Sequence, residues 1–166
     1  SPIYAGANQA SITSPHYLCA QTQEYNAVDT ITQEAMSRFD GLRVIGDTHG
    51  VSREMRQAID GAKSKNYAVL SLGDISDHGP DSSGTIRMAL NEAHYAVPGN
   101  HCWRLARFAM GNNVKLTHGL NVTKQQIEAQ EDGRDLLQSF MKHALDLPVF
   151  HRIGKRIFTH GAFAPE

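Results

Sequence analysis

Apolar and polar positions are ordered unevenly along the chain. From Ser1 to about Tyr25 it is rich in Ser, Thr, Gln, Asn and Ala without a clear period. That predicts an arm or loose lead-in, with a short helix from Asp29 to Phe39. From Gly41 the pattern sharpens. Leu42-Arg43-Val44-Ile45 predicts a strand running into Gly46-Asp47-Thr48-His49-Gly50, and Val51 to Lys65 a helix. Tyr67 to Leu72 predicts a buried strand running into Gly73-Asp74, followed by a helix from about Ser82 to Glu92. His94 to Val97 predicts a third strand, stopped by Pro98-Gly99 before Asn100-His101, and then a helix from Trp103 to Met110. Asn113 to Asp132 is polar and mixed and reads as an insertion. Gly133 to Leu145 predicts a helix with Leu136, Leu137, Phe140, Met141, Ala144 and Leu145 on one face. Val149 to Ile153 and Arg156 to Phe158 flank Gly154-Lys155 as a hairpin, which delivers Thr159-His160-Gly161 to a strand end.

Strand, polar loop and helix alternate, so the expected fold is α/β, a mixed sheet flanked by helices. Residues 1–40 are expected to be an arm and residues 41–166 the domain. The polar residues fall at the carboxyl ends of strands, where open α/β sheets bind ligands.

Composition narrows the function classes. Lys+Arg 16 against Asp+Glu 17 gives a net charge of −1, which argues against non-specific nucleic-acid binding. A phosphorylated substrate remains open, because a metal can supply positive charge locally. Two cysteines, Cys19 and Cys102, make no disulfide framework and are expected to be free thiols. No run approaches the roughly 18 apolar residues of a membrane span, and the first residues lack a signal-peptide pattern, so a cytoplasmic protein without membrane partners is expected. Ser1 is not expected to be the natural start.

Four segments repeat one design, an apolar strand and then a ligand-bearing residue beside glycine. They are Gly46-Asp47-Thr48-His49-Gly50, Gly73-Asp74-Ile75-Ser76-Asp77, Gly99-Asn100-His101 and His160-Gly161. With extended backbone, Asp47 and His49 share one face. A mixed Asp, His and Asn set suits a hard or borderline divalent ion such as manganese, iron or zinc. Singly, each segment is more often a helix cap or a core hydrogen bond. Four in order at strand ends make coincidence the weaker reading.

These blocks, with Asp77-x-Gly79-Pro80 and Thr159-His160-Gly161, resemble the calcineurin-like metallophosphoesterase superfamily. The likeness runs from about Leu42 to the last residue. It lies within the branch of serine/threonine phosphatases, diadenosine tetraphosphatases and the phosphatase domain of bacterial polynucleotide kinase-phosphatase. Asn113 to Leu120, with Thr123 and Gln126, is most similar to the last. The resemblance implies a β-sandwich flanked by helices and two divalent cations, with manganese expected and iron, zinc, nickel or magnesium as alternatives. It implies that Asp47 and His49 bind the first metal, that Asp74 bridges through both carboxylate oxygens, and that Asn100 and His160 bind the second. His101, oriented by Asp77, would protonate the leaving oxygen. Asn100, His101 and His78 would contact phosphate. The implied reaction is hydrolysis of phosphate esters or anhydrides by a metal-bridging hydroxide, on nucleotides, dinucleoside polyphosphates or polynucleotide ends.

Three departures bear on this. His78 stands where the branch has an Arg, so phosphate binding is expected to be weaker or more pH-dependent, with Arg104 or Arg107 as candidates to compensate and surface solvation as their bland fate. Cys102 replaces an acidic residue and reads as a small buried group. A further metal-ligating His and most of the second sheet come from later sequence in the family, so the chain reads as truncated. Three readings stand, a larger protein with a completing C-terminal segment, a fragment completed by another chain such as a homo-oligomer partner, or a naturally reduced domain, and the first is expected. His118, His143 and His151 are expected to be ordinary surface or hydrogen-bonded residues. The rival activities are a serine/threonine protein phosphatase and a degenerate module that binds without catalysis.

Overall fold

The computed structural model describes residues 28–161. The predicted arm up to Tyr25, and Cys19 with it, lies outside them. In chain order the elements are β1 (Val28–Thr30), α1 (Gln33–Met36), β2 (Gly41–Ile45), α2 (Ser52–Lys63), β3 (Tyr67–Ser71) and α3 (Ser82–Glu92). Then come β4 (Tyr95–Ala96), α4 (Asn100–Ala109), α5 (Leu120–Glu128), α6 (Gly133–Asp146), β5 (Phe150–Ile153) and β6 (Arg156–Thr159).

The strands form two three-stranded sheets, ordered β2-β3-β4 and β1-β5-β6. In the first, β3 pairs in parallel with both neighbours, with Gly41 opposite Tyr67 and Leu70 opposite Tyr95. Parallel neighbours need crossover helices, and α2 and α3 supply them. Buried on both faces, β3 reads as the unbroken apolar run Tyr67-Ala68-Val69-Leu70. In α2, Met55, Ile59 and Ala62 recur at helical spacing and are its buried residues. They join Ile45, Val69, Ile86, Leu105, Leu120 and Phe140 in one core, each large side chain contributing about 2 kcal/mol of burial. No described helix is long and apolar enough to cross a membrane.

Two expectations are corrected and a third gains detail. Where a helix from Asp29 to Phe39 is predicted, β1 pairs in parallel with β5, and only one helical turn follows. The Ile31 amide extends the pairing to Arg152 O at 2.9 Å, so sheet formation overrides the local helical pattern. Within the Asn113–Asp132 stretch, read as an insertion, α5 buries Leu120, Thr123 and Ile127 on one face. Finally, α4 begins at Asn100, three residues earlier than predicted, so Asn100 and His101 form its first turn.

The second sheet is anchored to the first by His151. Its imidazole is buried, and Nε2 donates to Ala96 O of β4 at 2.9 Å. Nδ1 lies 3.1 Å from the Asp29 carboxylate of β1. The carboxyl ends of β2, β3 and β6 and the loop after β4 carry the residues taken up next.

Candidate metal centre

Asp47 follows β2, Asp74 follows β3, Asn100 opens α4 and His160 follows β6. The first two loops are stitched together by backbone bonds. The amides of Thr48 and His49 both donate to Asp74 O, at 3.1 and 2.9 Å, and Gly50 N donates to Ile75 O at 2.9 Å. Such turns demand unusual backbone. His49, Asp74, Asp77 and His78 all have positive φ, at 43°, 44°, 73° and 60°. Each costs on the order of 1 kcal/mol, and their gathering in adjacent loops marks a place where geometry is held against local preference. The extended backbone expected between Asp47 and His49 is therefore replaced by a turn at His49. The Asp74 and Asn100 loops also approach closely. A Cβ at Gly73 would strike the Gly99 backbone, and a Cβ at Gly99 would strike the Asp74 carboxylate.

The donor atoms converge. One ligand atom each from Asp47, His49 and Asp74 lies within 4.8 Å of the other two. His160 Nε2 lies 3.1 Å from Asn100 Oδ1 and 3.4 Å from Asp74 Oδ2. His160 Nδ1 donates to Leu72 O at 2.8 Å, so in the neutral ring the proton is on Nδ1 and Nε2 is a lone pair. That lone pair, an amide oxygen and a carboxylate oxygen then face one another with no proton between them. Such an arrangement repels unless a positive charge sits among them. His49 is held the same way, with Nδ1 bonded to Ser76 O at 2.9 Å and Nε2 left free. A backbone carbonyl orienting a ligand imidazole is the usual outer partner of a metal-binding histidine. All five residues are thus at hand to hold divalent cations.

Asp74 is buried, and its Oδ1 accepts the His101 amide of α4 at 2.8 Å. That amide is one of the unpaired N–H groups of a helix N-terminus, a favourable seat for negative charge. The other oxygen, Oδ2, faces His160.

Beside this centre lies a dyad. His101 Nδ1 donates to Asp77 Oδ2 at 2.6 Å, which fixes Nε2 as the free nitrogen. Asp77 is fully buried and every polar atom of it is engaged. Thr123 Oγ1 donates to Oδ1 at 2.6 Å, Arg104 Nη2 donates to Oδ2 at 2.9 Å, and the Asp77 amide donates to Thr123 Oγ1 at 3.0 Å and Ser82 Oγ at 3.2 Å. Sequence reasoning missed Ser82 and Thr123 as partners of Asp77. Ser82, right after the Asp81 cap of α3, was the available signal.

The remaining candidates fall out unevenly. His78 is exposed, with its ring centroid 5.0 Å from that of His49 and 5.3 Å from that of His101. Arg104 is neither surface-solvated nor free, because Nη2 also donates to Thr117 O at 2.7 Å and His118 O at 3.0 Å. The compensating phosphate role expected of Arg104 meets a guanidinium nitrogen that is already committed. Cys102 is buried as expected, and burial pushes its thiol up to about 11. His118, His143 and His151 stay outside both donor clusters. Burial lowers the basicity of His143, with Asp146 opposing.

Comparison with known proteins gives this geometry a lineage. The profile of the calcineurin-like phosphoesterases matches residues 42–162. The chain belongs to that family. Among calcineurin-like phosphoesterases it is 31% identical to the asymmetrical bis(5'-nucleosyl)-tetraphosphatase PrpE of Halalkalibacterium halodurans, over 70% of this chain and 55% of that protein. It is 38% identical to the PrpE of Anoxybacillus flavithermus, again over 70% of this chain and 55% of the relative. A solved structure described as a putative diadenosine tetraphosphatase superposes with a TM-score of 0.57 at 21% identity, covering 83% of this chain and 55% of that one. That superposition supports the calcineurin-like fold. The chain spans about half the length of the relatives it matches.

Proposed function

We propose that the protein hydrolyses dinucleoside polyphosphates with two divalent cations, manganese first. The observation that carries this reading is the meeting of His160 Nε2, Asn100 Oδ1 and Asp74 Oδ2 beside the His101–Asp77 dyad. The substrate class rests on the relatives, which are named as bis(5'-nucleosyl)-tetraphosphatases.

In this reading Asp47 and His49 hold one cation, Asn100 and His160 the other, and Asp74 is shared. Asp74 would serve both, with Oδ1 accepting the His101 amide and Oδ2 facing His160. Bound there, the cations supply positive charge against the phosphoryl oxygens and activate water for attack on phosphorus. His101 carries a proton at Nε2 to the leaving oxygen while Asp77 holds the ring and stabilises its charged form. Asn100, His101 and His78 reach for phosphate oxygens, His78 as a single imidazole donor where a guanidinium would offer a fork.

The test is hydrolysis of diadenosine tetraphosphate by the manganese-loaded protein, beside a 3'-phosphorylated oligonucleotide and a phosphopeptide. The dinucleotide is expected to be turned over fastest, and Asp74→Asn to lower kcat by about a hundredfold or more. Faster turnover of either other substrate overturns the substrate class. Wild type as inert as Asp74→Asn on all three overturns the activity.

A further inference from the structure

Three imidazoles stand together beside the proposed dinuclear centre. His49, His78 and His101 each offer a ring nitrogen within 4.8 Å of the other two. Their ring centroids are 4.9 to 5.3 Å apart, with interplanar angles of 62° to 82°. The rings therefore meet edge to face, as they would around a common point. Two of the three are already prepared as ligands. His49 Nδ1 is bonded to Ser76 O and His101 Nδ1 to Asp77 Oδ2, so each ring, when neutral, presents an Nε2 lone pair. The His78 side chain makes no hydrogen bond among the described residues and is exposed, so its ring can turn toward them at little cost.

We propose that His49, His78 and His101 form a three-imidazole site for zinc, distinct from the carboxylate-rich centre and competing with it for His49. Three neutral imidazoles with an open fourth position are a borderline donor set, which favours zinc over manganese or magnesium. In a tetrahedral zinc site the ligand nitrogens lie about 3.3 Å apart, so closure asks roughly 1 Å of movement. The exposed His78 supplies it, while a carbonyl and a buried carboxylate hold the other two rings. The site depends on His78; an arginine at that position has no lone pair to offer. Under the activity proposed above, zinc held this way silences the enzyme by claiming His49 from a catalytic cation and His101 from the leaving oxygen.

Asp47→Asn/Asp74→Asn removes the charged oxygens of the dinuclear centre and leaves all three imidazoles. The side-chain amide introduced at position 74 retains an oxygen to accept the His101 amide, so the first turn of α4 keeps its cap. Calorimetric titration of this metal-free variant with zinc is expected to give one ion per chain, and adding His78→Ala is expected to weaken binding at least tenfold. With copper(II), the electron paramagnetic resonance signal is expected to show three imidazole nitrogens, falling to two in the His78→Ala background. No zinc uptake by the double variant with native circular dichroism, or uptake indifferent to His78→Ala, overturns the proposal. If the double variant does not fold, copper spectra of wild type and His78→Ala at one equivalent decide, and identical spectra overturn it. Neither readout involves phosphate turnover, so this site and the proposed activity fail separately.

Discussion

Arg104 and His101 share one oxygen: Nη2 of the first lies 2.9 Å, and Nδ1 of the second 2.6 Å, from Oδ2 of Asp77. The same Nη2 holds the carbonyls of Thr117 and His118. Arg104 thereby ties the loop before α5 to the carboxylate that orients His101. Arg104→Ala is expected to lower kcat about tenfold with little change in KM, because it loosens His101 without touching substrate. Arg104→Lys keeps one donor and is expected to recover part of the loss. Equal losses in both variants, or a loss confined to KM, would show that Arg104 acts elsewhere.

Asp77 also depends on Thr123, whose hydroxyl donates to Oδ1 and accepts from the Asp77 amide. Thr123→Val keeps the shape and removes both bonds, leaving a buried carboxylate oxygen without its donor. The expected cost is about 1–3 kcal/mol of unfolding free energy, read by urea denaturation. Thr123→Ser restores the hydroxyl and is expected to regain most of it.

Those two residues show where the sequence was legible and where it was not. Asp47, His49, Asp74, Asn100 and His160 lie in segments that follow an apolar strand beside a glycine, and the family resemblance picked them out within those segments. All five meet. Arg104 and Thr123 carry no such mark, because their significance comes from packing α4 and α5 against the Asp77 loop, a relation between distant segments. For the same reason β1 escaped notice. Three residues, Val28–Thr30, form a strand only because β5 lies beside them more than a hundred residues later. The Arg104 contact was illegible for a related cause: a cation near an Asn-His block suggests phosphate, and only the fold brings its Nη2 to the buried Asp77 carboxylate.

Gly99 is expected to be indispensable to the metal centre. A Cβ there collides with the Asp74 carboxylate and the Asp74 amide, neither of which can retreat from the buried loop. Gly99→Ala is expected to cost about 1–3 kcal/mol of stability and to lower manganese affinity, followed by calorimetry. Gly61 is the control. It lies within α2 and an added Cβ meets nothing within 4 Å, so Gly61→Ala is expected to raise stability by about 0.5–1 kcal/mol and leave manganese binding unchanged.

The pH dependence of stability is expected to carry the mark of Glu92. Its carboxylate accepts from Arg56 at 2.7 Å and from Lys63 at 2.6 Å, joining the ends of α2 and α3. The Arg56 hydrogen bond is the main cause that lowers its pKa to about 2; burial opposes and Lys63 assists. A folded pKa below the unfolded value of about 4.3 means stability that is fully present above that value and lost as pH falls toward 2. Arg56 and Lys63 are 43% and 55% exposed, so screening reduces the contribution to on the order of 1–2 kcal/mol. Glu92→Gln is therefore expected to be less stable than wild type by that amount at pH 7. Urea titrations from pH 6 to pH 3 should show the gap closing below pH 4.5, and added salt should narrow it at neutral pH. A gap that stays constant down to pH 3 would mean that the Glu92 carboxylate gains nothing from the two cations beyond what its amide gains.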